Sequence, residues 1–330
     1  MARRLLCLLY CGLSVGLVVR GQERPAAPGR PQAAEPAQRR YTIAVIPKGT
    51  THVFWKSVEA GAKKAGEELG VEVVWKGPLK ESDRAQQIQV MQQFVSQGVD
   101  GIALAPLDFK ALVRPVQAAA GQGIPVVIFD SALEGQPGRD FVSYVATNNE
   151  LGGRLGGQRL AEVLGGAGRV VLLRYMVGSA STEERERGFL DALSKHAGIR
   201  VIVDNRYAGA TAGEAKNQAL NMLDQIRQAD GIFCPNESST LGMLLALRQE
   251  GLAGKVRFVG FDASPPLVKA LAAGEIDALV VQNPRKMGYT AVATLVRHLD
   301  GQRVEPVIDT GVAVVTRQNM DDPDIKPLIE

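Results

Sequence analysis

Cysteine is scarce in this 330-residue chain, which has Cys7, Cys11 and Cys234 only. The first two fall in an N-terminal apolar run, which leaves Cys234 alone and excludes an internal disulfide framework. Cys234 ends the apolar stretch GIFC and reads as a small buried hydrophobe. Histidine is as sparse, at 52, 196 and 298, and no Cys/His spacing matches a ligand set, so no metal is expected. His196 and His298 stand near expected helix C-termini, where a cation on the surface is mildly favourable. Charge of one sign is lacking too: 38 Lys plus Arg against 35 Asp plus Glu leave a net +3, carried by the N-terminal arginines. No basic field argues for nucleic acid. Also absent are G-x-x-x-x-G-K-[ST], a G-x-G-x-x-G after a strand, and a G-x-S-x-G elbow. The Gly-rich LGGRLGGQRL (151–160) lies within or opens a helix, where glycine suits close packing better than phosphate. No nucleotide, cofactor or catalytic nucleophile is expected.

What is present begins with Arg3-Arg4, an apolar run from Leu5 to Val19, and the small Gly21. This reads as an export signal over 1–21, too short for a comfortable span. A membrane anchor and a lipid anchor at Cys11 are the alternatives; Tyr10 precedes Cys11 where a small residue is wanted. Residues 22–40 are Pro/Ala-rich without apolar periodicity and read as a linker. Beyond them short apolar runs alternate with amphipathic stretches: runs at 42–46, 71–75, 99–104, 124–129 and onward to 308–315, helices at 54–69, 83–97, 109–121, 183–196, 212–228, 238–250 and 285–299. Unbroken runs such as VVIF mark strands covered on both faces, so the fold class is α/β with doubly wound parallel sheets.

An internal correspondence divides that fold. VDGIALAPLD (99–108) resembles ADGIFCPNES (229–238), and PVVIFDS (125–131) resembles RFVGFDA (257–263). Two lobes of similar build are implied, each with an aspartate, Asp130 and Asp262, at a strand's carboxyl end, where open α/β sheets bind ligands. Asn236 and Gln282 stand at strand ends too. These planar groups are able to hold pairs of adjacent hydroxyls. Asn236 also reads as a turn residue after Pro235, and Gln282 as a plain strand terminus. Near the start, IAVIPKGTTHVFW brings Lys48, His52, Phe54 and Trp55 to a strand-to-helix loop. The two aromatics are either core at a helix start or apolar faces for a ring. Ser181-Thr182-Glu183-Glu184 fits a capping box at a helix N-terminus. Asp130 and Asp262 as an acid/base pair would need a second carboxylate beside one of them; on separate lobes, binding suits them better.

Six segments in order, IAVIPKGTTHVFW, GIPVVIFDS, GSASTEERERGF, IFCPNESSTLGMLLAL, VGFDASP and VVQNPRKMGY, resemble the periplasmic sugar-binding proteins of the ribose-binding type, solute receptors of ABC importers. The resemblance covers 41–316. It implies two Rossmann-like lobes joined by a three-strand hinge, 41–147 with 283–310 and 148–282 with 311–330. It implies a ligand site with Lys48, His52, Phe54, Trp55 and Asp130 on one wall, Arg185, Asn236 and Asp262 on the other, and Gln282 at the hinge. Arg185, separated by two residues from Gly188-Phe189, matches the family's arginine, whereas Arg187 reads as solvated. Ser131 stands where ribose binders carry arginine, and Lys48 where they carry serine. Two cations thus face two carboxylates, with His52 open, which favours a neutral polyhydroxy ligand. The second-lobe aromatic is missing near Ala210, with Tyr175 or Tyr207 as substitutes. The implied protein is a non-enzymatic monomeric receptor in the periplasm, binding a sugar or polyol for an inner-membrane ABC permease. A sugar sensor for chemotaxis or a sensor kinase is the alternative, and a hydrolase a weaker one.

Overall fold

The structure, a computed structural model, describes residues 40–330 together with Gly12 and Gly16. Apart from those two glycines, the expected export signal, with Cys11, and nearly all of the 22–40 linker lie outside the described residues. The first lobe opens with β1 (Thr42–Ile46), α1 (Val53–Leu69), β2 (Glu72–Trp75) and α2 (Arg84–Gln97), then β3 (Gly101–Leu104), α3 (Val113–Gly121), β4 (Val126–Phe129) and β5 (Ser143–Ala146). The second runs through α4 (Asn149–Val163), β6 (Ala167–Arg174), α5 (Ala180–Ser194), β7 (Gly198–Tyr207), α6 (Ala212–Asn221) and α7 (Leu223–Gln228). It continues with β8 (Gly231–Phe233), α8 (Glu237–Gln249), β9 (Arg257–Phe261), α9 (Pro265–Ala273) and β10 (Ala278–Gln282). The chain then adds α10 (Pro284–Leu299) and β11 (Val307–Asp309) to the first lobe, and β12 (Val312–Val315) and α11 (Lys326–Ile329) to the second.

Each lobe is a six-stranded sheet, ordered β11-β5-β4-β3-β1-β2 and β12-β10-β9-β8-β6-β7. All pairs are parallel except β10 with β12. The central strands β3, β4 and β10 are buried along their whole length, as sheets covered by helices on both faces require. Chain order maps one lobe onto the other, β1 to β6 and β4 to β9. The two-lobed α/β fold expected from the sequence is therefore the one observed.

The apolar stretch 308–315, expected as one strand, is two. It crosses between lobes at Thr310-Gly311, where Gly311 takes a left-handed φ of 91°. The other crossings follow β5 and β10. Thr310 N–H donates to the Ala146 carbonyl at 3.0 Å and Thr147 Oγ1 to that of Gly311 at 3.3 Å, which ties two crossings together. The expected helix 212–228 breaks at Met222 into α6 and α7, and α9 and α11 have no counterpart among the expected helices.

Glycines set the closest helix contacts. In α4 and α5, Gly153 faces the backbone of Arg185 and Gly188 that of Glu150; in α1 and α10, Gly61 faces Arg285 and Gly288 faces Val58. A methyl group at any of the four would overlap a carbonyl oxygen. The Gly-rich 151–160 segment thus lies inside a helix and serves its packing. Among the described residues no helix is long and apolar enough to cross a membrane.

Candidate functional site

The carboxyl ends of both sheets face each other across one cavity, and all nine residues singled out above line it. On the first wall, Lys48 follows β1 in a loop held from below by Gln87. The Gln87 amide donates to the carbonyls of Pro47 (3.0 Å) and Ala105 (2.7 Å) and accepts from Leu107 N–H (2.8 Å). Lys48 is buried; its Nζ lies 3.1 Å from Asp130 and donates across the cleft to Ser181 Oγ (3.0 Å) and Ser179 Oγ (3.3 Å). His52 is the N-cap of α1 but its side chain does not cap. Instead Glu237, the first residue of α8 in the other lobe, accepts from Phe54 N–H (3.0 Å) and Val53 N–H (3.4 Å). The carboxylate thereby satisfies donors that α1 leaves open and complements its positive end.

The second wall is built on the same plan. Asp130 and Asp262 are the two non-glycine residues of positive φ, 61° and 70°, among those described. Both lobes therefore turn the chain left-handed directly after the strand, a strain that such sites store. Asp262 accepts from Gln282 Nε2 (2.7 Å) and from Glu237 N–H (2.9 Å). Asn236 caps α8 through its Oδ1, which accepts from Ser239 N–H at 3.2 Å, so its turn role and its place in the wall coexist. Arg185 donates from Nε to Asn149 Oδ1 (2.9 Å) and from Nη1 to the Pro235 carbonyl (3.0 Å), with its guanidinium 4.0 Å above the Phe261 ring. Arg187 is exposed and paired with Glu150 at 2.9 Å.

Several expectations are corrected here. Helix α5 begins at Ala180 with Ser179 as N-cap, so Ser181 does not open a capping box; it lies inside the helix and its hydroxyl receives Lys48. The Glu183 carboxylate reaches back to Gly178 N–H at 2.7 Å. Nor do Asp130 and Asp262 lack neighbouring carboxylates: Glu81 and Glu237 line the same cavity. Three cationic side chains, with His52, face four acidic ones, not two facing two. Both extra carboxylates follow strands without ending them, Glu81 in the loop after β2 and Glu237 at the start of α8 after β8. Tyr175, at the end of β6, lines the cavity, whereas Tyr207 is exposed.

Electrostatics separate the titratable groups. Burial pushes the His52 imidazolium down, but the Glu81 carboxylate, by charge and hydrogen bond, with Glu237 and Asp262, outweighs it and holds His52 at about 9. Burial would raise Glu81, yet His52 by charge and hydrogen bond, then Lys48 and the Trp55 indole, hold it at about 2. Burial lifts Asp262 to about 6 against the pull of Arg185 and Gln282, with Glu237 adding repulsion. A carboxyl whose folded value lies above its unfolded one favours the fold most below pH 4 and gives that up as pH rises through 6. A ligand hydroxyl donating to the carboxylate favours its ionised form. Affinity for such a ligand is therefore expected to fall as pH drops from about 7 to about 5, and to stay flat over that range in Asp262→Asn; titration calorimetry at the two pH values checks it.

Two buried polar atoms lining the cavity, Arg185 Nη2 and Gln282 Oε1, have no hydrogen-bond partner among the described residues. One needs an acceptor and the other a donor, which a hydroxyl group supplies together. The cavity between the walls is about 30 Å³, above the roughly 10–15 Å³ that one water needs.

A sequence profile described as a periplasmic binding protein domain matches residues 43–303. The D-ribose/D-allose-binding protein of Pseudomonas aeruginosa is 30% identical, over 83% of this chain and 88% of that protein. A carbohydrate transporter solute binding protein from Agrobacterium radiobacter, solved with D-arabinose, superposes with a TM-score of 0.84 at 35% identity, over 88% of this chain and 99% of that one. An ABC transporter solute binding protein from Agrobacterium vitis with bound D-fucose gives the same score and identity, over 88% of this chain and 100% of that one.

Proposed function

Because the chain belongs to the periplasmic binding protein domain family, among its ribose-type sugar binders, we propose that it is an exported receptor that closes two lobes on one neutral sugar or polyol. Periplasmic binding proteins of this type are receptors, not enzymes. The observation that carries the reading is the pair of unpartnered buried atoms, Arg185 Nη2 and Gln282 Oε1, beside carboxylates on both walls. Hydroxyl groups satisfy that mixture of donors and acceptors without bringing charge. Three cations against four acidic groups disfavour a phosphorylated sugar. Phe54 and Trp55 offer apolar surface for the C–H face of a ring, and Lys48, His52, Asp130, Arg185, Asn236, Asp262 and Gln282 its polar contacts. The lobes taken as 41–147 with 283–310 and 148–282 with 311–330 are the jaws, and the three crossings the hinge. Delivery to an ABC permease by a monomeric receptor completes the proposal.

Calorimetric titration with D-ribose, D-allose, D-arabinose and D-fucose tests it. Saturable one-to-one binding of at least one is expected. Binding of sugar phosphates alone would overturn the charge argument, and binding of none would remove the sugar reading.

A further inference from the structure

Glu81 lies in the loop after β2, buried, with more donors on its carboxylate than any other acid of the cavity. One oxygen accepts from His52 Nδ1 and from the Trp55 indole Nε1, each at 2.7 Å. The other accepts from the Tyr175 hydroxyl at 2.9 Å, and Tyr175 belongs to the opposite lobe. A carboxylate with both oxygens occupied has little capacity left for a ligand. Its neighbours His52, Trp55 and Tyr175, however, all line the cavity.

We propose that Glu81 is a positioning residue: it fixes His52 and Trp55 in the first wall and receives Tyr175 from the second lobe when the jaws meet. The inference rests on the sugar-binding reading for its consequence, though not for its geometry. With Nδ1 committed to Glu81, His52 keeps Nε2 for the ligand, so the site asks for an oxygen acceptor at that point, a hydroxyl or a ring oxygen. Trp55, held by its indole N–H, keeps its ring in one plane, edge-on to Phe54 and Phe129. Tyr175 closes the set only where both lobes are in contact, so the first wall is most rigid in the closed form.

The charges around His52 favour this arrangement. Glu81, Glu237 at the start of α8 and Asp262 at the end of β9 face it with negative charge; Lys48 beside Glu81 and Arg185 in the second wall are the cations. Burial and then Glu81 push the Tyr175 hydroxyl well above its ordinary value, so it remains a neutral donor. His52 lies above its unfolded value, so its contribution to the fold is complete below pH 6.5 and is lost as pH rises through 9. Glu81 lies below its own, so its contribution is complete above 4.5 and is lost as pH falls through 2.

The experiment follows the imidazole resonances of the three histidines by NMR against pH in the native chain, Glu81→Gln, Glu81→Asp and Tyr175→Phe. In Glu81→Gln the His52 midpoint is expected to fall by about one to three pH units while His196 and His298 stay in place. Glu81→Asp restores part of that fall. A His52 midpoint within about 0.3 unit of native in Glu81→Gln would overturn the assignment, since loss of an adjacent charge moves a buried group further than that. Tyr175→Phe leaves the His52–Glu81 pair intact. It should keep the midpoint and weaken whichever of D-ribose, D-allose, D-arabinose and D-fucose the native chain binds by about five- to tenfold; unchanged affinity would overturn the cross-cleft role. If none of the four binds the native chain, the sugar reading fails, and the His52 midpoint in Glu81→Gln still decides the role of Glu81.

Discussion

Asp130→Ala is expected to abolish measurable sugar binding and to lower the melting temperature in the same step. The carboxylate is buried and its partner is the equally buried Lys48, 3.1 Å away. Breaking a buried ion pair by removing one member costs about 3–5 kcal/mol, because the charge left behind remains desolvated. Here the stranded ammonium would keep only the hydroxyls of Ser179 and Ser181. Alanine also fits the left-handed φ of 61° less well than aspartate does. On the binding side, each hydroxyl bond to a carboxylate contributes about 1.5–3 kcal/mol, so losing two weakens binding at least about a hundredfold. The double variant Lys48→Met/Asp130→Ala separates the two effects. It should recover stability relative to Asp130→Ala, because no unpaired charge is left, and should recover no affinity. Thermal melts and calorimetry on the three proteins measure both; a double variant as unstable as the single would mean that the pair does not carry the stability.

Gly153→Ala is the second large effect, and it reaches the site from outside it. Gly153 lies on α4 where α5 crosses, and an added methyl group would overlap the carbonyl oxygen of Arg185. Backbone cannot swing aside as a side chain does, so α4 and α5 must separate, at a cost of about 3 kcal/mol, the upper end for overpacking. That corresponds to a fall in Tm of roughly 4–5 °C for a chain of this size. The element displaced carries Arg185, so affinity falls as well. Gly213→Ala, in α6, is the control: the nearest atom to the added methyl group is Thr211 Oγ1 at 3.9 Å. It should gain about 0.5–1 kcal/mol from helix propensity. Equal melting of the two variants would mean that the crossing is looser than described.

The strand ends were legible in the sequence because two signals coincide there, an unbroken apolar run and the polar residue that ends it. Asp130, Asn236, Asp262 and Gln282 all carry that mark, and the internal correspondence pairs the two aspartates that share a left-handed φ. Glu81 lies in the loop beyond β2, a strand only partly buried, and does not end its apolar run. Its role depends on donors 26 and 94 residues away in the chain, which no local pattern encodes. Glu237 was hidden for a related reason: it opens a helix, and its partners are the N–H groups of a helix in the other lobe. The Ser181 capping box failed because the helix starts earlier, with Ser179 as its N-cap, and Lys48 donates to the Ser181 hydroxyl. The stretch 308–315 is largely apolar, and only Gly311 marks where it leaves one sheet for the other.

The most direct test is the distance across the cleft. Leu79 and Val177 are exposed on loops of opposite lobes, and Cys234 is buried, so Leu79→Cys/Val177→Cys, with Cys7 and Cys11 replaced by serine where the N-terminal segment is retained, offers two sites for a fluorescent pair. Addition of the neutral sugar found by calorimetry is expected to shorten the distance saturably, with the same midpoint as binding, while its phosphorylated counterpart leaves it unchanged. A distance that no sugar alters, or that only the phosphorylated one shortens, would contradict a clamp that closes on a neutral ligand.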